Sequence, residues 1–177
     1  SFQKDAWEKF KKYGAVCTCW MTGAGKDMMS TYMLDRIKVG ELPNLIVSPN
    51  LTILEQFKKE YFPKYAPRLV QELESGQLIL ATYQSYDKLK DKEYGLIVFT
   101  EAHVLPAETF SRLSTLKCKY RYGNTASPFR EDGKENYIFA LTGYPIGLNW
   151  MNLMQILGKS FHDVNVYIVA SREAKIN

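Results

Sequence analysis

With 177 residues, 46% of them hydrophobic, the chain can bury a sizeable core in one domain and is too short for a second full one. A net charge of +4, from 23 basic against 19 acidic residues, permits a nucleic-acid partner without requiring one, and three cysteines fit neither a disulfide framework nor the paired spacing of a zinc site. No apolar run approaches the ~18 to 20 residues of a membrane span, and Ser1-Phe-Gln-Lys4 does not open a signal peptide, so an intracellular location, cytoplasmic or nuclear/nucleoid, with no membrane partner is expected.

Apolar runs and helical patterns alternate along the chain. Ala15 to Trp20 predicts a buried strand, followed by the glycine-rich turn Gly23-Ala-Gly-Lys-Asp27 and a helix whose apolar stripe is Met29, Met33 and Ile37. After a turn at Gly40 to Pro43, Leu45 to Val47 predicts a second strand and Leu54, Phe57 and Tyr61 a second helical stripe. Pro63 and Pro67 mark a surface connection, and Glu74-Ser-Gly76 is a turn into the strand Leu78 to Ala81. Leu96 to Phe99 is the next strand, ending in Thr100-Glu-Ala-His103, and Phe110, Leu113 and Leu116 form a third helical stripe. Glu131-Asp-Gly133 and Gly143-Tyr-Pro145 are read as turns, and Val164 to Val169 as a last strand. Strand followed by helix, repeated, predicts an α/β domain with a mostly parallel sheet and helices on both faces. In such sheets ligands sit at the carboxyl ends of strands, where Gly23 to Asp27, Thr82, Thr100 to His103 and Thr125 to Ser127 fall.

The turn from Gly23 to Asp27 reads as a phosphate loop. Backbone N–H groups between a strand and a helix surround phosphate oxygens, the helix dipole adds positive potential, and Lys26 adds a point charge. The match is partial, because Trp20 stands where the full pattern has a glycine, five residues before Gly25. Asp27 occupies the position after the lysine where the pattern has Ser or Thr. A carboxylate there favours the helix by ~0.3 to 1 kcal/mol. Against a phosphate ~5 Å away at an effective dielectric of ~20 it repels by about 3 kcal/mol, roughly a hundredfold in affinity, unless a cation such as Mg2+ lies between them. In Thr100-Glu-Ala-His103, Glu101 is a candidate to polarise an attacking water and His103 to relay between site and neighbouring domain.

Five segments in order, Gly23 to Lys26, Ser48 to Gln56, Ala81 to Tyr86, Thr100 to Phe110 and Tyr122 to Asp132, resemble the motifs of the first RecA-like domain of superfamily 2 helicases. Arg130-Glu-Asp132, Pro106 to Phe110 and Leu141-Thr-Gly-Tyr-Pro145 with Asn149-Trp150 resemble the XPB branch. The resemblance spans residues 1–169, leaving 170–177 as a tail or the start of a linker to a second motor domain. It implies a RecA-like P-loop NTPase domain that binds ATP and Mg2+ and contacts the DNA backbone without reading sequence. Gln3 would recognise adenine; Gly23, Ala24, Gly25, Lys26 and Asp27 would hold the nucleotide. Asp27, Thr100 and Glu101 would hold the metal, with Lys26, Glu101 and His103 catalytic. Thr125, Ala126 and Ser127 would couple nucleotide state to domain motion. Thr82, with the segment from Pro49 to Gln56, would face the nucleic acid, and Arg130, Glu131 and Asp132 would assist strand separation.

Four positions depart from the family pattern. Asp27 replaces a hydroxyl, Thr100 the metal-coordinating aspartate, Met21 a common proline, and Asn124 stands where an apolar residue is usual. The first two exchanges leave one carboxylate and one hydroxyl, so they are expected to compensate each other at the metal. The family's second RecA-like domain, whose arginines stabilise transferred phosphoryl charge by ~10³ to 10⁵ in rate, is not in the chain, which is therefore expected not to complete a motor cycle alone. The alternative is a degenerate domain serving as a DNA- or protein-binding module. A nucleotide kinase would need a basic lid element that the sequence lacks.

Overall fold

The computed structural model describes residues 2–21, 23–105, 107–126 and 135–147. A helix, α1 (Phe2–Tyr13), precedes β1 (Ala15–Cys19), and α2 (Lys26–Arg36) leads to β2 (Asn44–Ser48). The next helical stretch is α3 (Leu51–Gln56), a π-helical segment Phe57–Tyr61 and α4 (Phe62–Tyr65), followed by α5 (Arg68–Ser75). Then come β3 (Leu78–Thr82), α6 (Tyr86–Leu89), β4 (Glu93–Phe99), α7 (Ala107–Ser114), β5 (Lys117–Thr125), α8 (Glu135–Thr142) and β6 (Tyr144–Ile146).

The six strands form one sheet in the order β3-β2-β4-β5-β1-β6, with every pair parallel. The expected doubly wound architecture is present. Val16, Ile46, Leu96, Val98 and Tyr122 face a layer containing Ala6, Phe10, Met33, Leu34, Phe57, Phe62 and Leu69. The alternate residues Cys17, Cys19, Leu45, Val47, Ile97 and Phe99 face Leu89, Leu113, Leu116, Ile138 and Leu141. Both faces are covered, which is why the strands read as nearly continuous apolar runs. The buried Cys17 and Cys19 thiols belong to this core, and the interaction with the Cys17 side chain, together with burial, pushes the Cys19 thiol well above its ordinary value.

Two strands escape the sequence reading. β5 alternates Lys117, Lys119 and Arg121 with Cys118, Tyr120 and Tyr122, so its cations mask a period-two pattern. Arg121 is accommodated because its guanidinium donates to the carbonyls of Ser114, Leu116 and Leu141. Gly143-Tyr-Pro145, expected as a turn, instead enters β6, which pairs with β1. Gly143 is obligatory there: its φ is 113°, and a Cβ would overlap the Ala15 carbonyl. The strand expected at 164–169 lies outside the described residues.

Candidate functional site

β5 lies between β1 and β4, so its carboxyl end stands between the phosphate loop and the acidic tetrad. Thr18 and Cys19 of β1 register with Asn124 and Thr125, and Phe99 of β4 with Gly123. Adjacent strands are ~5 Å apart, so loops following β1 and β4 are separated by a distance that two side chains span. A cavity of about 590 Å³ opens at this edge, and Lys26 and Glu101 both line it.

The loop has the backbone of an anion cradle. Gly23 and Gly25 sit at φ 82° and 83°, a left-handed conformation that glycine adopts without Cβ strain. Gly25 is the residue before α2, and Lys26, Asp27 and Met28 of its first turn, where helix N–H groups lack intrahelical partners, line the cavity. Lys26 is buried except for 7% of its surface, and Gly23, Ala24, Gly25 and Asp27 complete the lining on this side. Gln3 lines the same cavity; its Nε2 would lie 3.8 Å from a Cβ on Gly25.

Asp27 is held among unlike neighbours. Burial raises its carboxyl above the ordinary value, Lys26 lowers it, the Glu101 charge raises it, and hydrogen bonds from Asn124 and Tyr61 lower it. Glu101 is the single non-glycine residue with positive φ among the described residues, at φ 48° and ψ 48°. Its N–H donates to Asn124 Oδ1 at 3.1 Å. His103 Nδ1 lies 2.8 Å from Thr125 Oγ1 and 3.4 Å from Glu101 Oε2.

Thr100 is placed differently from the sequence expectation. It is fully buried, its hydroxyl donates to the Val47 carbonyl at 3.4 Å, its own carbonyl accepts the Tyr83 hydroxyl, and it does not line the cavity. Gln56, expected beside the nucleic acid, lines the same cavity as Lys26 and Glu101 and donates to Glu60 at 3.3 Å. Pro49 and Thr82 do sit together, since Ser48 and Thr82 are in register at the ends of β2 and β3; Thr82 Oγ1 is 3.2 Å from Ser85 Oγ. Ala126 is half-buried beyond Thr125, while Ser127, Arg130, Glu131 and Asp132 lie outside the described residues.

Sequence reasoning missed Tyr61, Tyr65 and Met28 on the cavity wall. The spacing of Tyr61 from Leu54 and Phe57 predicts a core position. The π-helical turn carrying it offsets that register, and such turns recur at functional sites. A second hollow of about 450 Å³ shares Gln3, Met28 and Tyr65 and adds Trp7, Met29 and Tyr32, with the Trp7 and Tyr32 rings edge to face at 5.3 Å.

No cluster of three or more Asp, Glu, His or Cys side chains suited to a metal occurs among the described residues. Asp27 and Glu101 around one cavity fit a hard cation that takes its remaining ligands from phosphate and water oxygens.

A family model described as "Type III restriction enzyme, res subunit" (ResIII) matches residues 2–146. The Rad25 protein of Halobacterium salinarum is 32% identical over 162 residues, covering 84% of this chain and 26% of that protein. The DNA 3'-5' helicase XPB of Mycobacterium tuberculosis is 29% identical over 163 residues, covering 80% and 29%. The chain thus spans about a quarter of the length of these curated relatives. Among solved structures, the Sulfolobus solfataricus SWI2/SNF2 ATPase core in complex with dsDNA aligns with TM-score 0.61 and 25% identity, over 79% of this chain and 34% of the other. The Pyrococcus furiosus Hef helicase domain, at 19% identity and TM-score 0.65 over 82% and 36%, shares the fold.

Proposed function

The chain belongs to the ResIII family and is a first RecA-like motor domain of the XPB-like branch of superfamily 2, and from that premise we propose that it serves an ATP-dependent DNA helicase or translocase. The observation that supports this most is the convergence of Lys26 and Glu101 on one cavity from loops after β1 and β4. In this reading the terminal phosphates lie on the N–H groups of Gly23 to Lys26, with the Lys26 ammonium offsetting their charge. Gln3 and the hollow beside Met28 and Tyr65 take the base. A bound Mg2+ would neutralise phosphate charge, with Asp27 as its protein carboxylate. Glu101 orients the hydrolytic water, and the His103–Thr125 contact transmits nucleotide state toward Thr125, Ala126 and Ser127.

Pro49 and Thr82, with Arg130, Glu131 and Asp132, are proposed to meet the DNA. Hydroxyls and helix N-termini hold phosphates there without reading bases. Residues 1–169 constitute the motor domain and 170–177 lead toward a second RecA-like domain, whose arginines complete the phosphoryl-transfer site. Alone, the chain binds Mg·ATP and DNA without completing a motor cycle, inside the cell where DNA is.

A second reading, a domain kept for binding DNA or protein with ATP chemistry lost, is favoured by the burial of Thr100 away from the cavity. Calorimetric titration with ATP, with and without magnesium, separates the two: saturable, magnesium-dependent binding supports the motor domain, and its absence at millimolar ATP supports the binding module. DNA affinity that falls steeply with salt identifies phosphate contacts in either case.

A further inference from the structure

The peptide group joining Thr100 to Glu101 has both of its polar atoms bound by side chains. Its carbonyl accepts the Tyr83 hydroxyl, and its N–H donates to Asn124 Oδ1 at 3.1 Å. The two side chains arrive from opposite flanks of β4. Tyr83 follows β3, beyond β2 on one side, and Asn124 belongs to β5 on the other. Both are buried. Glu101 itself is left-handed at φ 48°, a conformation disfavoured for a residue with a Cβ and kept only where the surroundings hold it.

The Asn124 amide is oriented in turn. A backbone N–H can only donate, so Oδ1 faces Glu101 and the NH₂ end faces α2. There Nδ2 donates to Ser30 Oγ at 2.7 Å, and the fully buried Ser30 donates to the Lys26 carbonyl at 3.1 Å. Ser30 can keep that helix bond whatever stands at 124, since a serine commonly donates to the carbonyl four residues back. The amide is therefore needed for the direction of the Glu101 peptide rather than for closing α2. An apolar side chain, usual at this position in the family, accepts nothing from Glu101.

We propose that Tyr83, Asn124 and Ser30 are positioning residues: Tyr83 and Asn124 clamp the Thr100–Glu101 peptide from its two sides, and Ser30 sets the amide that forms one side of the clamp. A peptide plane held at both ends fixes the direction in which its residue's side chain leaves the backbone. Here that direction carries Glu101 to the wall of the cavity that Lys26 also lines. The Glu101 carbonyl accepts the Val104 N–H at 3.1 Å, so the following peptide is held as well. Through Ser30 the clamp is referred to the helix that opens with Lys26, which keeps the carboxylate in register with the phosphate loop.

The inference rests on the proposed water-orienting role of Glu101 for its catalytic consequence, but not for its geometry. The test is nuclear magnetic resonance on the isotope-labelled chain, reading hydrogen exchange of the Glu101 amide and its coupling to Hα, which reports φ. Asn124→Leu is expected to speed that exchange about tenfold and to move the coupling off its left-handed value. Tyr83→Phe and Ser30→Ala, each removing one support, should speed it about threefold, whereas Asn124→Asp keeps the acceptor and should stay within about twofold of the parent. Tyr94→Phe is the control: it deletes a buried hydroxyl-to-carbonyl bond of 3.0 Å near the opposite end of β4 and should leave Glu101 unchanged. In parallel, single-turnover ATP cleavage with magnesium should fall about tenfold in Asn124→Leu and Tyr83→Phe with Kd within about twofold of the parent, because Glu101 is displaced from the water and not the loop from the phosphates. A Glu101 amide that keeps its exchange and coupling in Asn124→Leu and Tyr83→Phe, that responds equally to Tyr94→Phe, or that is lost equally in Asn124→Asp would overturn the clamp. Unchanged cleavage in variants that do displace Glu101 would overturn its positioning role in catalysis. If the parent neither binds nor cleaves ATP, the functional reading falls, and the clamp still stands or falls on the amide measurements. Should Asn124→Leu not fold, Ser30→Ala and Tyr83→Phe carry the same comparison.

Discussion

His103 Nδ1 stands 2.8 Å from the Thr125 hydroxyl and 3.4 Å from a Glu101 carboxylate oxygen, so one ring links the end of β5 to the acidic tetrad. A part-buried hydrogen bond of this kind contributes about 1 kcal/mol. Thr125→Val should lower the melting temperature by about 3 °C. The double variant with His103→Ala should lose less stability than the sum of the two single losses, because the shared bond is counted in both. Differential scanning calorimetry on the four proteins checks this, and additive losses would deny the link.

Lys26 opens α2 and is buried except for 7% of its surface, and in the proposed phosphate site it supplies the cation. Lys26→Ala should leave the ligand-free melting temperature within about 2 °C of the parent, and abolish its rise with Mg·ATP. In the parent, ATP at roughly a hundredfold excess over Kd stabilises by about 2.7 kcal/mol, a shift of several degrees. Thermal unfolding with and without nucleotide is the measurement.

Gly143 combines φ 113° with a backbone so close to Ala15 that no side chain fits. Gly143→Ala should destabilise by about 2 to 4 kcal/mol, through both strain and the loss of β6 pairing with β1. Gly40, also at positive φ but with open space where a methyl group would stand, should lose about 1 kcal/mol on the same change. Urea unfolding compares them.

Tyr83 and Tyr122 are deeply buried, and burial pushes both phenols above their ordinary value of 10.0. A raised folded pKa means that the folded state holds its protons longer than the unfolded one. The stability they support is therefore fully present below about pH 10 and is lost as pH rises beyond it. Tyrosine absorbance should show the exposed phenols titrating first and these two only together with loss of structure. Ionisation of every tyrosine in the folded protein would contradict their burial.

Much of this protein is written locally. Continuous apolar runs mark β1, β2, β3 and β4, because strands covered on both faces leave no polar alternation, and the turn from Gly23 to Asp27 announces its phosphate-loop geometry through the glycines. β5 and β6 are not legible in the same way. In β5 Lys117 and Lys119 stay exposed and the half-buried Arg121 finds carbonyls of α8 and of the residues closing α7, while Pro145 sits in a short strand rather than a turn, with Gly143 packed on Ala15.

For the site, local chemistry determined which residue types were available: a lysine, two acids and a histidine after buried strands. Which of them meet was decided by the order of the strands. Inserting β5 between β1 and β4 puts Asn124 between Ser30 of α2 and the Glu101 peptide, and buries Thr100 in the sheet, a pairing that depends on lateral neighbours and not on sequence separation. Periodicity reports which face of an element is buried; it carries no information on which strand lies beside it. The partner of each polar group is therefore fixed by packing, once the chain has chosen its neighbours.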